Sequence, residues 1–246
     1  MKVLIHGSTG RMGKILCQLL MDGYPGLELA ARVSPEEIAD PANCIYSALN
    51  EVDCAVDCVI DFSHHTAVGA LMEFCISKNL PVVVSTTGHT PEEKAVISAA
   101  AEKIPVFFSA NMSIGVALVA ELAKKAASVF PDANIEIVEK HHNQKLDVPS
   151  GTALLLAHRI QEALTDSVLL VGRHENGKRT AKEIGIHSLR LGNEVGTHEI
   201  IITTGAETIT LKHEAENRSL FANGALAAAK FLEGKSAGMY SMRDII

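Results

Sequence analysis

The N-terminal stretch MKVLIHGSTGRMGKILCQLL, residues 1–20, decides the architecture. Lys2 to His6 is a short apolar run of strand length, and beyond it Met12, Ile15, Leu16, Leu19 and Leu20 recur at helical spacing. Between the two lies a glycine turn, Gly7-Ser8-Thr9-Gly10-Arg11-Met12-Gly13. Strand, glycine turn and helix in that order predict the opening of a parallel βαβ unit, whose helix N-terminus offers unpaired N–H groups to a pyrophosphate. The first glycine permits the tight turn and the last lets helix pack closely on strand. The middle one is displaced, with Thr9 at the usual second position and Gly10 after it. Many strands join helices through glycine turns for structural reasons alone, so it is the place of this one in the first βαβ unit that favours a dinucleotide. Arg11 either adds charge beside the phosphates or is a solvated first-turn arginine.

Working outward, Leu27 to Val33, Ala55 to Phe62, Leu80 to Ser85 and Pro105 to Phe108 read as further strands, with helical segments near 66–78 and 91–103. Alternation of this kind predicts an α/β fold with a Rossmann-type, doubly wound parallel sheet. After Asn111 the rhythm changes. A long Ala/Leu-rich helix (Gly115 to Val129) precedes a strand (Asn134 to Glu139) and a second helix, and three strands follow, IHSLRL, HEIIITT and TITLKHEA. These form a second, α+β half. The tail returns to an Ala-rich helix, FANGALAAAKFLEG, and a final short segment, MYSMRDII.

With 47% apolar and 21% charged residues among 246, the chain can bury a full core in one large domain or two modest ones. A formal charge of -7 without any long Lys/Arg run argues against nucleic acid or an anionic membrane and leaves a small molecule as the expected partner. No secretory signal region and no apolar run of membrane-spanning length is visible, so a cytoplasmic protein is expected. The five cysteines lack CxxC spacing and lie mostly in apolar stretches, which predicts buried free thiols.

An acidic residue at the end of the second strand would hold the ribose hydroxyls of NAD, and Ala30-Ala31-Arg32-Val33-Ser34 has none. Arg32 and Ser34 could receive a 2′-phosphate instead, which points toward NADPH; Arg32 as a plain surface charge is the alternative. Two loops follow later strand ends, Ser85-Thr86-Thr87-Gly88 and Ser109-Ala110-Asn111-Met112. Ligands of open α/β sheets lie outside the carboxyl ends of strands, where these small polar residues would meet the nicotinamide ribose and ring. Helix capping is the structural alternative, above all for Thr90 ahead of Pro91.

The densest chemistry lies in VEKHHNQKLDVPSGTALLLA, Val138 to Ala157. His141 and His142 close a strand, Lys145 follows, and Pro149 makes an irregular loop the expected setting for them. Histidine can donate or accept a proton near neutrality and lysine supplies positive charge, a combination suited to an anionic substrate. Ser150 is a natural N-cap, leaving the N–H groups of Gly151 and Thr152 to face a carboxylate at the positive helix end. Each histidine alone is more often structural. The pair lacks a third metal ligand at recognisable spacing, so no metal is expected. Asp147 is a surface turn residue or orients a cation.

VEKHHNQKLDVPSGTA closely resembles the signature of the 4-hydroxy-tetrahydrodipicolinate reductases, and the likeness extends over essentially the whole chain through GSTGRMG, STTG, SANMSIGV, FANGALAAAKFL and GMYSMRDII. The resemblance implies a Rossmann domain formed by residues 1–112 plus 218–246 and a substrate-binding and oligomerisation domain over 113–217, assembled as a homotetramer. It implies reduction of the substrate, through its dehydrated form, with NADPH, NADH or both, in the diaminopimelate route to lysine. His141 matches the proton donor/acceptor position and Lys145 a second proton donor. His142, Gly151 and Thr152 match substrate-binding positions of a small dicarboxylate. Gly7, Ser8, Thr9, Gly10, Arg11 and Met12 match cofactor-binding positions, as do Ser85, Thr86, Thr87, Ser109, Ala110, Asn111 and Met112. Arg32 stands where the family pattern is broken, and DFSHH lacks a basic residue that some relatives carry. A different Rossmann reductase of small dicarboxylates and a non-catalytic nucleotide sensor are the rival readings.

Overall fold

Val3, Leu4 and Ile5 of strand β1 (Lys2–His6) are fully buried, the condition of a central strand covered on both faces. The computed structural model describes residues 1–246, and the chain divides into two units, Met1–Ser113 with Ser219–Ile246, and Ile114–Arg218. In the first, β1 leads through the glycine turn into α1 (Arg11–Met21), then β2 (Glu28–Val33), β3 (Ile45–Tyr46), β4 (Cys58–Asp61), α2 (Val68–Ser77), β5 (Val82–Val84), α3 (Pro91–Ala101) and β6 (Pro105–Phe108). Thr90 caps α3 with a reciprocal Glu93 contact and Pro91 opens the helix. Leu71, Met72 and Cys75 of α2 and Ile97 and Ala100 of α3 pack with Leu4, Val59, Val82 and Val84 of the sheet in one core. Each such fully buried aliphatic side chain contributes about 1.5–3 kcal/mol relative to exposure.

The second unit begins with α4 (Ile114–Val129), followed by β7 (Asn134–His141), α5 (Gly151–Gln161), β8 (Val168–Val171), β9 (Glu183–Arg190), β10 (Thr197–Thr203) and β11 (Thr208–Glu214). Its mixed sheet has the order β11-β10-β7-β9-β8, with β10 antiparallel and β9 parallel to the central β7. Ile135 and Ile137 of β7, Ile184 and Ile186 of β9 and Ile200 and Ile202 of β10 form the core with Ala120, Ala123 and Ala127 of α4 and Leu156 and Ile160 of α5. Small residues on α4 let the helix lie close to its neighbours. Two features depart from the sequence expectation: β7 runs on to His141 rather than ending at Glu139, and β8 is an additional, partly exposed edge strand.

The chain then returns to the first unit with α6 (Ser219–Phe231) and β12 (Gly238–Tyr240). A Cβ on Gly224 would fall 1.7 Å from the Met112 carbonyl oxygen, so this glycine is what seats α6 against the loop after β6. β12 adds to β6 in parallel, completing a seven-stranded sheet of order β12-β6-β5-β4-β1-β2-β3. Strand order reverses at β1, which places the glycine turn at the switch point. The cysteines are free, and burial pushes the thiol of Cys17 up to about 11 and that of Cys58 up to about 12. No helix is long and apolar enough to cross a membrane.

Candidate active site

Side chains alternate across β7, so the face that buries Ile135 and Ile137 also buries Glu139 and His141. Glu139 is fully buried, and a charge there persists only if it is paired. It is paired on every side. One carboxylate oxygen lies 2.5 Å from His141 Nδ1; Arg190 donates from Nη1 to that oxygen at 2.9 Å and from Nη2 to the other at 2.8 Å. The Ser150 N–H adds a bond of 3.2 Å. Burial alone would raise the Glu139 carboxyl, but the hydrogen bonds from His141 and Arg190 outweigh it and hold the group well below the usual carboxylate range. An ionised Glu139 accepts only, so His141 carries its Nδ1 proton inward and Nε2 is its remaining nitrogen. A Cβ on Gly196 would stand 3.0 Å from that Nε2, so any side chain at 196 would crowd it.

Ser150 ties this carboxylate to α5. Its Oγ caps the helix by accepting from the Ala153 N–H at 3.1 Å and lies 3.0 Å from Nε2 of His198. The His198 ring meets His141 edge-on, with centroids 5.1 Å apart. Burial, reinforced by the neighbouring His141, pushes His198 down to about 3, so it is neutral at ordinary pH. Between β7 and α5 the Lys145 N–H bonds to the His142 carbonyl at 3.2 Å, and the Lys145 ammonium lies 2.9 Å from Asp147. The Val148–Pro149 peptide is cis. His141, His142, Lys145, Gly151 and Thr152 thus stand on one strand-to-helix connection. A Cβ on Gly151 would meet nothing within 4 Å, and its φ is not positive. The fold does not require glycine there.

The glycine turn of the first unit is the opposite case. Gly7 has φ +83°, and a Cβ on it would come 2.5 Å from the Phe62 carbonyl oxygen; one on Gly13 would lie 2.1 Å from the Gly7 oxygen. Gly7 and Ser8 both donate backbone N–H bonds to the Val33 carbonyl, which sets the end of β2 beside the turn. Gly10 precedes α1, whose exposed Arg11 and half-buried Met12 open the helix. Ser8 Oγ donates to Glu37 at 2.9 Å and Thr9 Oγ1 to Glu36 at 2.7 Å. Arg32 lies 3.9 Å from Glu37. Ala30 to Ser34 hold no carboxylate, but Glu36 and Glu37, two and three residues further on, bring two to the turn.

Across the neighbouring strand ends, Asp61 accepts from Thr86 Oγ1 and Ser63 Oγ at 2.6 Å each and lies 2.7 Å from His6 Nδ1. Thr86 is thus turned onto Asp61, whereas Thr87 is exposed and the buried Ser85 Oγ has no protein partner. Ser109 Oγ donates to the Asn111 carbonyl at 2.7 Å, and Asn111 Oδ1 accepts from the Ser113 N–H at 2.8 Å; Ala110 is exposed and Met112 buried. A tight turn at a helix start, with no room for a Cβ at Gly7 or Gly13, and an orphaned hydroxyl at the adjacent strand end fit a dinucleotide.

Glu139 was legible as inward-facing from its parity with Ile135 and Ile137. Arg190 and His198 had no local signal, because they arrive on β9 and β10. His6 and Asp61 show only as polar residues closing apolar runs.

Parallel α/β sheets carrying such a turn, followed in the same chain by a mixed-sheet unit, are the build of two-domain dehydrogenases and reductases. Comparison with known proteins narrows the class. Family models described as dihydrodipicolinate reductase, N-terminus and C-terminus, match residues 1–112 and 115–246. The 4-hydroxy-tetrahydrodipicolinate reductase of Caldanaerobacter subterraneus is 42% identical, over 100% of this chain and 98% of the relative; that of Brachyspira hyodysenteriae is 40% identical over 100% of both. Dipicolinate-bound dihydrodipicolinate reductase from Paenisporosarcina superposes with a TM-score of 0.81 at 27% identity, covering 100% and 99% of the two chains. The chain belongs to the dihydrodipicolinate reductase family, NAD(P)H-dependent oxidoreductases that reduce 4-hydroxy-tetrahydrodipicolinate in lysine biosynthesis.

Proposed function

We propose that His141 moves the proton of this reduction and that Lys145, with the N–H groups of Gly151 and Thr152, grips a substrate carboxylate, His142 lining the same seat. Loss of water would leave an unsaturated ring; the nicotinamide cofactor, which the Gly7–Met12 turn would hold, would supply hydride chemistry at one ring carbon, and a proton must reach the neighbouring one. His141 suits that task in its doubly protonated form: Glu139 accepts from Nδ1–H and fixes the ring, the Nε2–H proton passes to the ring carbon, and the neutral Nδ1–H tautomer left behind regains its Nε2 proton from solvent. Lys145 and the positive end of α5 oppose negative charge on the carboxylate and on the enamine-like system that forms as the bond is reduced.

The observation that carries the proposal is the place of Ser150, which donates its N–H to the carboxylate that orients His141 and caps the helix that would seat the substrate. One residue thus joins the groups to which proton transfer and anion binding are assigned. Dipicolinate, bound by the Paenisporosarcina relative, is a ring with two carboxylates, in keeping with such a seat. Steady-state kinetics of His141→Gln and Lys145→Ala test the assignment: each folded variant should lose ~10²-fold or more in turnover. Wild-type turnover in Lys145→Ala would remove its role.

The Gly7–Met12 turn, Ser85–Thr87 and Ser109–Met112 are assigned to the nicotinamide cofactor, and the chain to a cytoplasmic homotetramer. Support for assembly is the edge strand β11, whose residues are exposed or half-exposed along its length; long uncovered edges are ordinarily paired or covered. Light scattering in solution gives the subunit number, and a monomer would end that assignment.

A further inference from the structure

The end of β2 carries a charge arrangement that the established reduction does not explain. Glu36 and Glu37 fold back onto the glycine turn, Glu37 accepting from Ser8 at 2.9 Å and Glu36 from Thr9 at 2.7 Å. Ser34 joins them, its Oγ 2.7 Å from Thr9 Oγ1 and hydrogen-bonded to Glu36. The hydrogen bonds from Ser34 and Thr9 hold Glu36 below the usual carboxylate range, so it is ionised at neutral pH. Arg32 supplies one positive charge here, and it faces Glu37 at 3.9 Å. Two carboxylates against one guanidinium leave this corner net negative.

A ribose with free hydroxyls offers two donors to such a corner, and the carboxylates are already placed to accept from hydroxyls, those of Ser8 and Thr9. A 2′-phosphate, a phosphate monoester of about −1.5 to −2 charge at neutral pH, offers acceptors and repulsion instead. Pro35, directly before Glu36, lines a groove of about 850 Å³ whose wall mixes apolar residues such as Leu49 and Phe74 with Ser47, Asn50 and Lys78, room for a base that carries ring nitrogens. We propose that Glu36 and Glu37 select NADH over NADPH, replacing the missing acidic residue of the second strand by a pair displaced along the loop. This reverses the preference that Arg32 and Ser34 suggest in sequence. It rests on the reading that the Gly7–Met12 turn holds the dinucleotide.

The test is a direct one: dissociation constants of NADH and NADPH from the full chain, measured by nicotinamide fluorescence without substrate, at low and high salt. NADH should bind ~10-fold or more tighter than NADPH, and the gap should narrow as salt screens the repulsion. The double substitution Glu36→Gln with Glu37→Gln, which keeps shape and acceptor atoms, should tighten NADPH while moving NADH little. Equal or tighter NADPH binding to the unaltered chain, or an unchanged ratio in the double variant, would overturn the selectivity while leaving the glycine-turn reading intact. Binding of neither cofactor would overturn both.

Discussion

His141 Nδ1 and a carboxylate oxygen of Glu139 lie 2.5 Å apart, and Arg190 clamps the far side of that carboxylate through both terminal nitrogens. Two residues apart on β7, they share its buried face, and the guanidinium compensates a charge that burial would otherwise neutralise. Glu139→Gln can keep the shape yet present an N–H to His141, favouring the wrong tautomer. Turnover should fall ~10²-fold or more, with NADH affinity unchanged. Adding Glu139→Gln to His141→Gln should cost little further, because the carboxylate acts through the imidazole. Additive losses in the double variant would mean that Glu139 serves the fold rather than His141.

Gly151 and Gly7 should respond in opposite ways to alanine. At Gly151 the added methyl meets no protein atom, so thermal stability should hold while substrate KM rises. At Gly7 the methyl meets the Phe62 carbonyl at 2.5 Å in a left-handed backbone, so stability should fall by about 1–3 kcal/mol or more. Thermal melts with substrate titrations separate the two, and an unchanged KM for Gly151→Ala would remove the carboxylate seat.

His198 predicts an acid-sensitive fold. Its pKa is depressed to about 3 in the folded chain against about 6.5 unfolded, so the unfolded state binds more protons between those values. Stability associated with it is full above about pH 6.5 and declines as pH falls toward 3, by up to about 1.4 kcal/mol per pH unit. Urea unfolding of wild type and His198→Gln from pH 5 to 7 isolates this group by difference: burial also pushes His89 and His213 down, but both proteins share that contribution, and Glu139 loses its own chiefly at lower pH. Parallel curves for the two proteins would exclude His198 as the source.

Gly196 faces Nε2 of His141, the nitrogen proposed to give up the proton. A Cβ there would stand 3.0 Å from His141 Nε2, so Gly196→Ala should depress turnover while leaving NADH affinity intact. Full activity in that variant would show that Nε2 needs no clearance on this side.

The local chemistry was legible. Apolar runs and glycine turns marked β1, α1 and β6 at or near their observed bounds, and the connection from His141 to Thr152 joins the residue proposed to move the proton to a helix start. Edge strands β3, β8 and β12 escaped notice: β3 and β12 carry only two apolar residues each, and the short apolar run of β8 stands exposed or half-exposed at its sheet edge. The two glutamates at 36 and 37 lay in plain sequence, but nothing local said that they would turn back onto Ser8 and Thr9.

What the sequence determined by itself is most of the longer elements and the segment to which the chemistry is assigned, because periodicity, capping and turn chemistry act between residues a few positions apart. Tertiary structure alone decided how that segment is held. Pairing of β7 with β9 sets Arg190 opposite His141, and pairing with β10 sets His198 opposite Glu139. Strand register is fixed by burial of the isoleucines on a shared face, an interaction between residues some fifty positions apart that no short stretch encodes.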